Sequence, residues 1–487
     1  MKLALVVFAP LALVSCDKLF GFDHVPTTDG SMELRTVTCD YLWQIAGTTS
    51  SGTPVETMMP APASYAHVVL GTTEIPIAAD GTFSFQAPAG VPWELRLDTP
   101  GLVQYFDRDS DTCHLVTQFF HRPNVPPATQ STPVRFNTMT SMPIGATVRI
   151  ASTGVRTLGT ATLLGVGPGS SAYGSDWNTT NDLSSQPAGL LDASKGDHLF
   201  LEFFANTADY SAMAQAVSVP QTLMNGASTA IAATPMPLPS RCVTIVSNEG
   251  QTAAALQATS LRPAGMASTS WAITSSAVAS MGPGENQLIA VGAHGDGADH
   301  TATVSYGDPF TGETEVFQVG AAIAHSVAAA DATSTPIYSY ATYYDVIRTD
   351  ATCATTITAL VPPAAIAAGA SVGGTALVSE GQALTLDRSQ PVPVHVELGP
   401  GQADDVVVFL YEVASVNSAT TLTNLALYYP FARDFAIAQA QLVAGHTYML
   451  SLAARVGVPG TAMGDFRTYS YPRGATANPT TTFTIAN

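Results

Sequence analysis

The sequence predicts an all-β chain of several tandem β-sandwich domains behind a cleaved export signal. Three observations carry this expectation. Only 11% of the 487 residues are charged, and Ala, Thr, Ser, Gly, Val and Pro fill the chain, a composition suited to half-buried strands and tight turns. Wherever a pattern is clear, apolar residues alternate with polar ones, as in Phe83/Phe85, Trp93/Leu95/Leu97 and Val392/Val394/Val396/Leu398. Such alternation puts one face of a strand into a core. The length corresponds to about three or four domains of ordinary size.

Residues 1–15 have the order of an export signal: Lys2 supplies a positive start, Leu3 to Leu13 is apolar, and Leu13-Val14-Ser15-Cys16 closes the run. This closure resembles a bacterial lipobox. The resemblance implies cleavage before Cys16, diacylglycerol on its thiol and acylation of the new amino group. An uncleaved anchor fits less well, because spanning a bilayer takes about 20 apolar residues. An ordinary secretory signal would end in an Ala-x-Ala-like site. Residues 16–31 then read as a lipidated cysteine and a short tether, since Asp17, Asp23, Pro26, Asp29 and Gly30 carry no apolar period.

The first domain is expected over 32–135. Ala66 to Leu70, Ile75-Pro76-Ile77, Thr82 to Phe85 and Trp93 to Leu97 form a meander, with Asp80-Gly81 and Pro88-Ala89-Gly90 as its turns. The string Ala79-Asp80-Gly81-Thr82-Phe83-Ser84-Phe85 followed by a Trp/Leu strand resembles carboxypeptidase-regulatory-like, transthyretin-type β-sandwiches. That resemblance implies a structural or binding module with no active site of its own. A β-rich domain over 136–240 rests on Gly145 to Ile150 and Leu199 to Phe204, while Tyr210, Met213 and Val217 give residues 206–216 the spacing of a short helix. Another β-rich domain over 241–385 rests on Val243 to Val246, Gln287 to Val291 and Ala302 to Tyr306. The last, 386–487, has the alternating strand from Val392 and the buried run Val406 to Val413. Its Leu442-Val443-Ala444-Gly445-His446-Thr447-Tyr448 resembles the tyrosine corner of fibronectin type III-like domains. The resemblance implies a Tyr448 hydroxyl tied to nearby backbone. Tyr105-Phe106-Asp107 before Cys113 and Tyr343-Tyr344-Asp345 before Cys353 hint at an internal duplication.

Apart from Cys16 there are four cysteines, Cys39, Cys113, Cys242 and Cys353. In an oxidising compartment they would form two disulfides; three pairings are open, and proximity in sequence favours Cys39–Cys113 and Cys242–Cys353. A formal charge of −19 opposes nucleic acid and anionic headgroups, so lipid on Cys16 would have to supply any membrane attachment.

Asp107, Asp109 and Asp111 have the alternate spacing that gathers oxygen ligands around calcium, although Thr112 and Gln118 stand where a calcium loop needs Gly and Glu. The simpler reading is a solvated strand edge or loop beside Cys113 with no cofactor; calcium is the one cofactor the spacing would suit. The His294-Gly295-Asp296-Gly297-Ala298-Asp299-His300 loop offers transition-metal ligands but no rigid shell, and reads more simply as a turn. Gly369-Ala370-Ser371-Val372-Gly373 matches a nucleophile elbow in letters only, with prolines before it and no helix after it. Tyr173, Trp177 and the Tyr338/Tyr340/Tyr343/Tyr344 cluster suit core packing, or a sugar or protein contact surface. The expected role is a non-catalytic structural or binding lipoprotein of the bacterial cell envelope, contacting envelope protein or glycan. The alternatives are an envelope enzyme acting on glycan or peptide, and a calcium-stabilised adhesin.

Overall fold

The computed structural model describes residues 33–486 except 49–53, 63, 120–121, 123–124, 139–145, 153, 156, 168–169, 180–187, 208–209, 263–264, 277, 279–285, 292–297, 311, 360–363 and 388. Cys16, the signal and the tether lie outside these. The described chain is all-β, arranged in four modules, with a single α-helix among the described residues.

Module 1 comprises β1 (Leu34–Thr48), β2 (Pro54–Pro60), β3 (His67–Leu70), β4 (Thr73–Ile75), β5 (Thr82–Pro88), β6 (Trp93–Thr99), β7 (Leu102–Arg108) and β8 (Thr112–Phe119). β1 is the spine of one sheet, with β2 and β5 antiparallel to it and β8 parallel. The facing sheet has the order β4-β3-β6-β7. Phe83 and Phe85 on β5 meet Trp93, Leu95 and Leu97 on β6 in the core between them, as their alternation requires. The turn before β5 needs glycine: Gly81 has φ 87°, and a Cβ there would lie 2.8 Å from the Tyr41 carbonyl oxygen.

Module 2 runs through β9 (Pro133–Thr138), β10 (Thr147–Ser152), β11 (Thr157–Thr160), β12 (Thr162–Gly167), β13 (Ser170–Asp176), β14 (His198–Asn206), β15 (Tyr210–Pro220) and β16 (Thr229–Ala232). A short β17 (Met236–Pro237) follows against β15. Module 3 contains β18 (Ser240–Ser247), α1 (Glu249–Thr259), β19 (Ala267–Ser276), β20 (Asn286–Val291), β21 (His300–Gly307), β22 (Thr314–Val327), β23 (Thr335–Val346) and β24 (Thr356–Ala359).

Modules 1, 2 and 3 share one plan. The first strand (β1, β9, β18) pairs antiparallel with a middle strand (β5, β13, β21) and parallel with the last (β8, β16, β24). Two hairpins make the facing sheet, joined through β3–β6, β10–β14 and β19–β22. The disulfide Cys39–Cys113 ties the first strand of module 1 to the start of the last, and Cys242–Cys353 ties the first strand of module 3 to the turn that leads into the last.

Module 4 is built differently, from β25 (Ala367–Val372), β26 (Thr375–Ala376), β27 (Gln382–Leu384), β28 (Val392–Leu398), β29 (Asp405–Val416), β30 (Ala419–Tyr429), β31 (Asp434–Ile437), β32 (Thr447–Val456), β33 (Arg473–Pro479) and β34 (Phe483–Ile485). One sheet has the order β26-β25-β28-β31. The other has β30-β29-β32, with β33 and β34 both pairing β32. The Val443 N–H donates to the Tyr448 hydroxyl at 2.7 Å, closing a tyrosine corner beside the core.

Strand pairing also joins the modules, out of chain order. β7 of module 1 runs parallel to β30 of module 4, β33 of module 4 pairs antiparallel with β23 of module 3, and β20 of module 3 pairs antiparallel with β15 of module 2. One sheet therefore continues through modules 1, 4, 3 and 2. The circuit is closed covalently, since β8 ends at Phe119 and Arg122 already donates its N–H to Gly154 of module 2.

Three sequence expectations need correction. β9 straddles the division placed at 135/136. β25 to β27 fall before 385/386 but pack in the core of module 4, because Ala367, Val372 and Leu384 face β28, β29 and β32. The described part of the stretch expected as a helix over 206–216 is not helical: β15 pairs with β14 from Ser211 to Pro220, and a bulge at Phe203/Phe204 adjusts its register while Met213 enters the core. Tertiary pairing overrides the helical spacing there.

Candidate functional site

β7 ends in Asp107 and Arg108, and module 4 supplies what these side chains meet. The β7–β30 pairing stacks Tyr105 on Tyr428 with ring centres 4.8 Å apart, and Phe106 on Tyr429 at 4.7 Å. Tyr105 thereby enters the core of module 4, whereas Phe106 stays in that of module 1. Arg108, 1% exposed, donates from Nε to the Thr461 carbonyl at 2.5 Å and from Nη1 to the carbonyls of Tyr429 and Asp107, both at 2.6 Å. Its guanidinium also lies 4.9 Å from the Phe466 ring centre. Burial lowers its pKa to about 10, and Asp405 and Asp107 oppose that shift, so it remains a cation at neutral pH. The Asp107 carboxylate accepts the Phe431 N–H. Burial raises its pKa to about 6, against the pull of Arg108 and of that N–H.

Asp405 is held by Arg455, through Nε to Oδ1 at 2.8 Å and a shorter Nη2–Oδ2 contact. Burial works against the Arg455 charge, but Asp405 outweighs it and the pKa rises. Asp404 accepts at Oδ2 from the N–H groups of Gly457 (2.8 Å) and Val458 (3.0 Å).

Arg108, Asp404 and Asp405 line an open groove of about 680 Å³ at the end of the module 4 sandwich, a volume in the range of ligand sites. Its other walls are residues 398–404, between β28 and β29, and residues 430–433, between β30 and β31. Gly401 has φ 132°, and a Cβ there would lie 2.8 Å from the Cα of Ala365, so this wall depends on glycine. Phe431 is 48% exposed and Arg433 and Gln402 are exposed. Most described arginines have a carboxylate, a carbonyl, an amide or a ring against the guanidinium; Arg433 and Arg348 have none of these.

The residues singled out in the sequence are placed elsewhere. Asp109 and Asp111 both pair with Arg35, the latter at 3.1 Å, while Asp107 turns toward module 4. Arg35 thus stands between Asp109 and Asp111, and the three carboxylates do not converge on one point. Among the described residues no three His, Cys, Asp or Glu side chains are placed to hold a metal. His294 and Asp296 lie outside the described residues, and Asp299 accepts from the N–H groups of Gly250 and Gln251 at the start of α1. Gly369 to Gly373 belongs to the β25–β26 hairpin, where Gly373 and Gly374 take φ 59° and 77°. Tyr173 and Trp177 are buried in module 2 and Tyr343 in module 3; Tyr338 and Tyr340 are exposed on β23, and Tyr344 lies against Arg473.

Sequence reading missed Arg108, Phe431 and Arg433. A signal existed: the chain has 18 Lys and Arg in all, only three of them Lys, so each arginine is conspicuous. The acidic spacing of Asp107, Asp109 and Asp111 masks the arginine that stands between the first two.

No family model matches the chain, and no curated protein matches it. Among solved structures, a tetra-tandem repeat from the extending region of a large adhesion protein is similar at 13% identity over 90% of this chain and 98% of that one, with a TM-score of 0.14. The Bacillus anthracis TIE protein (10% identity, 91% and 72% covered, TM-score 0.12) and a streptococcal ancillary pilin (10%, 67% and 98%, TM-score 0.11) are similar to a like degree. These scores are too low to establish a shared fold, and the all-β assignment stands on the strand pairings above.

Proposed function

We propose that the chain is a non-catalytic, lipid-anchored binding scaffold of the bacterial cell envelope. The observation that carries this reading is the out-of-order strand pairing that makes one sheet of four modules. Beads on flexible linkers suit independent domains, whereas a continuous sheet holds loop clusters at fixed separations. Two disulfides favour an oxidising compartment. The lipobox supports attachment through Cys16, and the acidic surface leaves lipid as the means of holding it to a membrane. Among the described residues no helix is long and apolar enough to cross one.

Mass spectrometry of the mature amino terminus, from envelope fractions of the native host, tests the anchor. The expected result is a diacylglyceryl group on Cys16; an unmodified terminus beyond Cys16, or an intact Met1, overturns it. Crosslinking in cells tests the binding role, with an envelope glycan or protein as the expected partner and an uncrosslinked chain as the opposing result.

A further inference from the structure

The groove at the junction of modules 1 and 4 has a chemistry more specific than that of a generic contact surface. Its rim carries Arg433, whose exposed guanidinium has no partner among the described residues, in a chain of net charge −19. Arg108 lines the groove as a buried cation whose hydrogen bonds go to carbonyls, with Asp405 and Asp107 as the carboxylates that sustain its charge. The opposing charges are Asp404 and Asp405. Asp405 is taken up by Arg455, and Asp404 has one oxygen on two backbone amides. The groove thus offers a free planar fork for a carboxylate. Beside it stand the half-exposed Phe431 ring, the exposed Gln402 amide and the second Asp404 oxygen.

A compact dianion such as phosphate would gain from the arginines but would be repelled by Asp404 and would leave Phe431 and Gln402 unused. A sugar acid uses all four. We propose that this groove binds an acidic saccharide, with the uronate carboxylate on Arg433, a pyranose face on Phe431, and ring hydroxyls on Gln402 and Asp404. This inference rests on the binding role proposed above and names its ligand class; it does not depend on the lipid, so an unmodified terminus would leave it standing.

The test is calorimetric titration of the whole mature chain with a galacturonate tetramer and with a neutral galactose tetramer of the same linkage. The expected result is binding of the galacturonate, with the neutral tetramer at least about tenfold weaker. Arg433→Ala and Phe431→Ala each weaken galacturonate binding by about tenfold or more, while Arg348→Ala, at an exposed arginine outside the groove, leaves it unchanged. Both groove side chains are exposed, so these variants keep the fold, which circular dichroism verifies. Absence of binding to the galacturonate, equal affinity for the neutral tetramer, retained binding in both groove variants, or equally strong competition by inorganic phosphate overturns the proposal.

Discussion

Replacing Arg108 by Met keeps most of the side-chain volume and removes the cation that joins module 1 to module 4. Three carbonyls lose their donor, at 2.5, 2.6 and 2.6 Å, and two of them, those of Thr461 and Tyr429, belong to module 4. A hydrogen bond from a charged donor contributes about 1.5–3 kcal/mol, and the contact with the Phe466 ring adds about 1 kcal/mol. Relief of the burial cost of the charge offsets part of this, leaving a net loss of about 3–5 kcal/mol. The loss should fall on the junction rather than on either core, because β7 and β30 share only three aligned residue pairs. Hydrogen exchange reads it locally. Protection of the amides of Tyr428, Tyr429 and Phe431 should drop by about a hundredfold or more, while β22 and β23 of module 3 keep theirs. Unchanged protection at Tyr428 to Phe431 would refute the role given to Arg108.

Glu202 lies on β14 between modules 2 and 3, 3% exposed, and burial raises its pKa from 4.5 to about 8 against the pull of Arg149. The folded state then holds a proton that the unfolded chain has released, so stability falls as pH rises from about 5 to about 8. Glu202→Gln should flatten that decline by about 3 kcal/mol in urea titrations at the two ends of the range; parallel pH profiles for variant and parent would count against it. Reducing the disulfides, which close separations of 74 and 111 residues, should destabilise modules 1 and 3 by about 4–5 kcal/mol each in the entropic account. A reductant-insensitive unfolding curve would contradict this. Tyr448→Phe removes the acceptor of the Val443 N–H and should cost about 1–2 kcal/mol, measured by chemical unfolding, with no change in the spectrum of the native state.

Local pattern made parts of this fold legible. Phe83, Phe85, Trp93, Leu95 and Leu97 alternate because each must reach one core, and Gly445 to Tyr448 carries its own hydrogen-bond partner a few residues upstream. β9 was hidden because it opens with Pro133 and has only Val134 and Phe136 as buried apolar residues. α1 was missed because its Ala-rich sequence has no amphipathic period; it is held by Ala253 and Leu256 against Ala321 and Ile323 of β22. The module order 1-4-3-2 was out of reach, since it depends on which edge strands find each other across more than 300 residues, as Tyr105 and Tyr428 do. The groove belongs to the same category. Arg108 and Arg433 are distant in sequence, and only the β7–β30 pairing makes them walls of one space.

The parallel pairing of β7 with β30 also sets the route that mechanical force takes. A tug on anything held by residues 430–433 enters β30, crosses three rungs of the ladder into β7, and leaves through module 1 toward β1. Parallel strands drawn along their own axes are loaded in shear, so all rungs resist together instead of parting one at a time. Modules 2 and 3 lie outside that route and would feel little of the tension, although they contain about half of the chain.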